Sequence, residues 1–116
     1  MRVCRSQAAW FGYENSLRME LEETGLSVLQ QHPIPVHYRE RLVGEFFADL
    51  MVENRLIIEL KAVRSLAKEH EVQLVHYLTA TGIDDGLLIN FGPSVEVKRK
   101  FREYKRPNTR NEPNLD

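Results

Sequence analysis

Phe46-Phe47-Ala48-Asp49-Leu50-Met51-Val52-Glu53-Asn54-Arg55-Leu56-Ile57-Ile58-Glu59-Leu60-Lys61-Ala62-Val63 is a pair of apolar runs parted by a short polar stretch, with charges set inside both runs. Runs of this length, Val43 to Val52 and Leu56 to Val63, read as the two strands of a β-hairpin, and Asn54 is the residue best suited to a left-handed backbone in its turn. Charges inside otherwise apolar strands are costly unless they are paired or bound to an ion. Strand side chains alternate, so Glu59 and Lys61 project from one face, about 6.6 Å apart along the chain. Whether Asp49 joins them depends on the parity of the turn. A two-residue turn at Glu53-Asn54 pairs Asp49 with Ile58 and sends Glu59 to the other face. An odd turn, Glu53-Asn54-Arg55, makes Asp49 and Glu59 near neighbours on one face. The odd turn is the expectation.

Outward from the hairpin the elements follow in order. Ala67 to Thr81 has Leu74 and Leu78 one turn apart and Gly82 beyond its end, a helix with a glycine C-cap. Gly86-Leu87-Leu88-Ile89-Asn90-Phe91-Gly92 is an apolar run of strand length, expected to be buried on both faces. Val95-Glu96-Val97-Lys98 adds an edge strand before a polar tail. On the N-terminal side, Leu26 to Gln30 and Val36 to Tyr38 flank Pro33 and Pro35, as a strand near a sheet edge does. Before them, Tyr13, Leu17, Leu21 and Thr24 mark one face of an amphipathic helix that ends near Gly25. The order predicts an α/β (α+β mixed) domain: a mixed β-sheet flanked by helices.

The chain has 116 residues, 42% hydrophobic and 28% charged, enough for one small domain and incompatible with wholesale disorder. Cys4 is the lone cysteine, which excludes an intrachain disulfide and a cysteine-based zinc cluster. Ala8-Ala9-Trp10-Phe11 is too short for a signal segment and nothing approaches the length of a membrane span, so the cytoplasm is the expected location and no membrane partner is expected. Charge is unevenly placed. Residues 1–97 carry 9 Lys/Arg against 14 Asp/Glu, whereas 98–110 carry 7 against 1. A basic stripe on a mildly acidic body suits local contact with a polyanion, and equally suits the solvated end of a C-terminal strand.

Two carboxylates and an ammonium brought together have a known chemical use. Phosphodiester hydrolysis needs a water made nucleophilic at neutral pH and a sink for charge on phosphate. A hard divalent cation held by Asp and Glu oxygens supplies both, and a nearby Lys orients the water or balances developing charge. The spacing alone fits an ordinary Asp–Lys or Glu–Lys pair as well. His70 and His76 lack a paired ligand spacing on one face and suit helix-cap or surface roles.

Asp49 followed after nine residues by Glu59-Leu60-Lys61 resembles the Asp…Glu-x-Lys core of the PD-(D/E)XK nuclease superfamily. A longer series, Tyr13-Glu14-Asn15-Ser16-Leu17, Pro33-Ile34-Pro35-Val36, Ala48-Asp49-Leu50, Ile58 to Val63, His70 to Leu74, Tyr77-Leu78, Ala80-Thr81-Gly82 and Gly86 to Gly92, resembles the small bacterial GxxExxY proteins of that superfamily. The resemblance covers roughly residues 11–99, leaving 1–10 as an atypical N-terminal segment and 100–116 as a polar, basic C-terminal tail. It implies a restriction-endonuclease-like core, Asp49 and Glu59 as metal-binding carboxylates for Mg²⁺ or Mn²⁺, and Lys61 as the catalytic lysine. Gln73 is similar to a glutamine that some members direct into the site. The likeness departs at the first helix, where the Gly and Glu slots fall on Gln7 and Trp10. Glu14, one helical turn beyond Trp10, is then the candidate third acidic ligand.

The expected function is metal-dependent hydrolysis of DNA. Lys98, Arg99, Lys100, Arg102 and Tyr104 are the candidate nucleic-acid-binding residues, and a homodimer is a compatible assembly. The alternative is a catalytically impaired homologue that serves as a nucleic-acid-binding, structural or oligomerisation module.

Overall fold

The computed structural model describes residues 5–103, with side chains from residue 12 onward. Its elements run α1 (Arg5–Glu23), β1 (Val28–Tyr38), β2 (Arg41–Val52), β3 (Leu56–Lys61), α2 (Lys68–Thr81), β4 (Asp85–Phe91) and β5 (Val95–Phe101). The five strands form one sheet in the order β1-β2-β3-β4-β5. Only β3 and β4 are parallel, and α2 connects them, as a parallel pair requires. The mixed α/β architecture expected from the element order is present.

The two helices cover opposite faces. Leu74, Tyr77 and Leu78 of α2 pack with Ile34, Ala48, Met51, Ile57 and Leu88. Leu17 and Leu21 of α1 pack with Leu50, Val52, Ile58 and Leu60 on the other side. Burial of these side chains, at about 25 cal/mol per Å² of apolar surface, supplies the main drive for the two layers. β4 serves both cores: Gly86, Leu88 and Asn90 are buried, and the residues between them are half-buried.

Several boundaries differ from the sequence expectation. α1 begins at Arg5, eight residues before Tyr13, so the segment at 1–10 is partly helical. Its Tyr13 is exposed on one side and stacks on Phe91 at 4.1 Å, while Thr24 lies beyond the helix. The stretch around Pro33 and Pro35 is one continuous edge strand, where two missing N–H donors cost little. β5 continues to Phe101, which makes Lys98, Arg99 and Lys100 strand residues and moves the start of the tail beyond position 100. No described helix is long and apolar enough to cross a membrane.

Local signals explain the well-placed ends. The turn between β2 and β3 is the three-residue Glu53-Asn54-Arg55, with left-handed φ values of 53° and 54° at Glu53 and Asn54. Gly82 closes α2 at φ 75°, its N–H donating to Leu78 O. His70 Nδ1 accepts the Ala67 N–H at 3.0 Å and secures the first turn of α2.

Candidate active site

β2 and β3 pair through Val52–Leu56, Met51–Ile57 and Leu50–Ile58, and there the ladder stops. Beyond it β2 continues with β1, and β3 continues with β4. Asp49 and Glu59 stand at the fork. Each carboxylate accepts a backbone N–H across it: Glu59 Oε2 from Asp49 at 3.1 Å, and Asp49 Oδ2 from Leu60 at 2.8 Å. The acids thus replace ladder bonds that the diverging strands no longer make.

The fork coincides with a change in pleat phase. Ala48 packs on the α2 side and Leu50 on the α1 side, although two residues apart they would normally share a face. The neighbouring strand changes at the same level: Val28 faces the α1 core, while Ile34 and Val36 face the α2 core. The ladder runs from Gln30–Leu50 to His32–Ala48, omitting the Gln31–Asp49 pair between them, and Gln31 has φ 53°. This twist holds Asp49 at the break, between the two layers.

Glu14 reaches the same place from α1 and is fully buried. Gln30 Nε2 donates to Glu14 Oε2 at 2.6 Å. Gln31 Nε2 donates to both Glu14 oxygens, at 3.2 and 3.1 Å, and to Asp49 Oδ1 at 3.1 Å. Lys61 is half-buried two residues beyond Glu59, close enough for its charge to act on both Asp49 and Glu59.

The electrostatics reflect crowding of negative charge. Burial pushes the Glu59 carboxyl up to about 8, with Asp49 and Glu14 adding to the rise and the Asp49 N–H and Lys61 opposing it. Asp49 is also raised, chiefly by burial, against the Leu60 N–H and the Gln31 amide. Burial and the charges of Glu59 and Asp49 raise the Tyr77 hydroxyl, which places Tyr77 of α2 within their field. Buried carboxylates facing a single ammonium are a hard-oxygen donor set short of positive charge, the chemistry that suits a divalent cation. Among the described residues no three His, Cys, Asp or Glu side chains are arranged to hold a metal ion as they stand.

Other candidate residues lie apart from the fork. Gln73 is exposed on α2 and lines a groove of about 390 Å³ with Val36, Phe46, Val72, His76 and Tyr77. No hydrogen bond ties it to the carboxylates among the described residues. The cations of β5 and Arg102 just beyond it meet acids of their own chain: Lys98 and Lys100 both reach Glu71, Arg99 reaches Asp85, and Arg102 reaches Asp84. Tyr104 and the side chain of Trp10 lie outside the described residues. Gln30 and Gln31 were missed from sequence, because polar residues on an edge strand carry no signal of their own.

The geometry is that of a restriction-endonuclease-like core. A profile of the PD-(D/E)XK nuclease superfamily matches residues 11–103, and the chain belongs to that superfamily. No curated protein matches the chain significantly by sequence. Among solved structures, the protein SSO0001 superposes with a TM-score of 0.68 at 17% identity, over 88% of this chain and 55% of that one. An alkaline exonuclease from Laribacter hongkongensis superposes with a TM-score of 0.63 at 14% identity, over 89% and 61%. The chain therefore spans between half and two thirds of the length of these two structural relatives.

Proposed function

We propose that the domain hydrolyses phosphodiester bonds in DNA with the help of Mg²⁺ or Mn²⁺, and that within its superfamily it is a GxxExxY-type protein. The observation that carries this reading is the fork: Asp49 and Glu59 side by side, each fixed by a backbone N–H, with Lys61 next along the same strand. The ordered motifs around Glu14, Asp49 and Glu59-Leu60-Lys61 support the narrower assignment, against the departure at Gln7 and Trp10.

In this reading Asp49 and Glu59 hold the cation, with Glu14 as the third acidic ligand. When bound, the cation lowers the pKa of a coordinated water and neutralises charge on the phosphate. The protein's own contribution is positional. The two backbone N–H donors keep the carboxylates from rotating, so they meet the ligand already oriented. Lys61 presents a cation on the same strand, where it orients the attacking water or the phosphate oxygen. Tyr77, under the influence of the carboxylates and next to the groove that Gln73 lines, forms the wall along which a strand of substrate would run.

Cleavage assays on linear and branched DNA, with and without Mg²⁺, test the reading. Wild-type protein is expected to cut only with the cation present. Asp49→Ala and Lys61→Ala are each expected to lower the rate at least about 100-fold, the usual effect of removing one charge-stabilising group. Cutting that survives either change overturns the mechanism. Salt-sensitive DNA binding without cleavage instead identifies a binding module on the same fold.

A further inference from the structure

Gln31 occupies a position that neither the ladder nor the cores account for. It lies opposite Asp49 where the β1–β2 pairing is interrupted, well away from the bulge at Val36–His37, with φ 53°, in a region that L-residues other than Asn and Asp rarely enter. Its side chain is committed in turn: the amide nitrogen sits between Glu14 and Asp49 and donates to both. Only the N–H side of an amide can face two carboxylates, which fixes its orientation.

The oxygens it covers are informative. Glu14 Oε2 is also held by Gln30, whereas the other Asp49 oxygen, Oδ2, is held by the Leu60 N–H alone among the described residues. Glu14 Oε1 and Asp49 Oδ1 have no hydrogen-bond donor other than Gln31 among the described residues. We infer that Gln31 is a shutter on the carboxylate site: its amide fills the gap between Glu14 and Asp49 and swings out before these two acids share a divalent cation. The inference rests on the metal-site reading above. Withdrawal of the amide leaves Glu14 and Asp49 each anchored at one oxygen and frees one oxygen on each, which is the donor pair a hard cation needs. The shutter lowers the affinity for the cation, because its hydrogen bonds to charged acceptors are broken on loading. It also supplies both buried acids, Glu14 and Asp49, with a donor while no cation is bound.

Calorimetric titration of the full chain with MnCl₂ and MgCl₂, without nucleic acid, tests this directly. Gln31→Gly removes the amide and suits the left-handed backbone. It is expected to bind the cation roughly tenfold more tightly than wild type, about the worth of one hydrogen bond to a charged group. Its thermal midpoint is expected to fall in chelator and to rise further than the wild-type midpoint on saturation with Mn²⁺. Gln31→Asn tolerates the same backbone and is too short to span both acids, so it is expected to gain affinity to a lesser extent and carries the test if the glycine variant does not fold. Unchanged affinity overturns the shutter. Weaker affinity also overturns it and identifies the Gln31 carbonyl oxygen as a ligand. Asp49→Asn separates the two readings. If wild type binds the cation and Asp49→Asn does not, a failure of the Gln31 variants concerns the shutter alone. If no form binds, the metal site itself is refuted and the shutter with it.

Discussion

Glu59 is buried among like charges, and that crowding has a pH signature. Its carboxyl is raised from 4.5 to about 8 in the folded chain, by burial first and by the neighbouring acids second. Between those values the folded state keeps a proton that the unfolded state has released. The stabilisation from this group is thus complete below about pH 4.5 and is lost as the pH climbs toward 8. Asp49, also raised, acts in the same direction. Thermal melts in chelator are expected to show a midpoint that drops from pH 5 to pH 8. Glu59→Gln keeps an acceptor for the Asp49 N–H but cannot ionise. It is expected to flatten the profile and to melt above wild type at pH 8, and an unchanged slope would locate the titration elsewhere.

The position of Lys61 depends on the chain that leaves β3. Asn90 of β4 is fully buried and grips that chain with two bonds, accepting the Val63 N–H and donating to the Val63 carbonyl, both at 2.9 Å. Lys61 is the register partner of Asn90, so the grip falls two residues beyond the lysine. Gly92 is held to the same spot by space, since a Cβ there would overlap the Val63 carbonyl oxygen. Asn90→Ala takes the partners from two backbone groups of the half-buried Val63 and is expected to cost about 1–3 kcal/mol in all in chemical denaturation. Gly92→Ala is expected to destabilise as well, by forcing backbone against backbone. Either variant that unfolds like wild type would show that the loop after β3 is not fastened here. The hairpin on the other side of the site is readable from sequence because its constraint is local: an odd turn of three residues and the paired stretch from Val52–Leu56 to Leu50–Ile58 bring Asp49 beside Glu59.

Among the described residues, the cations of β5 and Arg102 beyond it are answered by acids from α2 and from Asp84 and Asp85 at the start of β4. Glu71 receives both Lys98 and Lys100, at 3.2 and 3.0 Å, which draws its carboxyl below the usual range. Among the described residues, Lys98, Arg99, Lys100 and Arg102 of the basic stripe are therefore each paired with an acid in space. If this edge meets nucleic acid, Glu71 restrains it. Glu71→Gln is expected to tighten DNA binding and to steepen the slope of log affinity against log salt by as much as about 2, one for each lysine released. Binding that does not respond would place the contact surface away from β5. Beyond the fork, β1 and β2 continue as a two-stranded ribbon on which Tyr38, Leu42, Val43, Phe46 and Phe47 are exposed, Phe46 also contacting the Tyr77 ring at 5.6 Å.

The primary structure by itself determined the order of elements, the hairpin and the glycine end of α2, because each follows from contacts within a few residues; it left two parities for the turn, and the odd one, expected from sequence, is what sets Asp49 beside Glu59. The superfamily was legible for the same reason, since Asp49 and Glu59-Leu60-Lys61 lie on adjacent strands. Only the tertiary structure decided that Glu14 is buried beside Asp49, that Gln30 and Gln31 hold it there, and that β5 reaches Phe101 with its cations paired. These depend on how far the sheet twists at Gln31 and on which helix face meets which strand. Such angles are set by packing of both cores at once, and no local pattern encodes them.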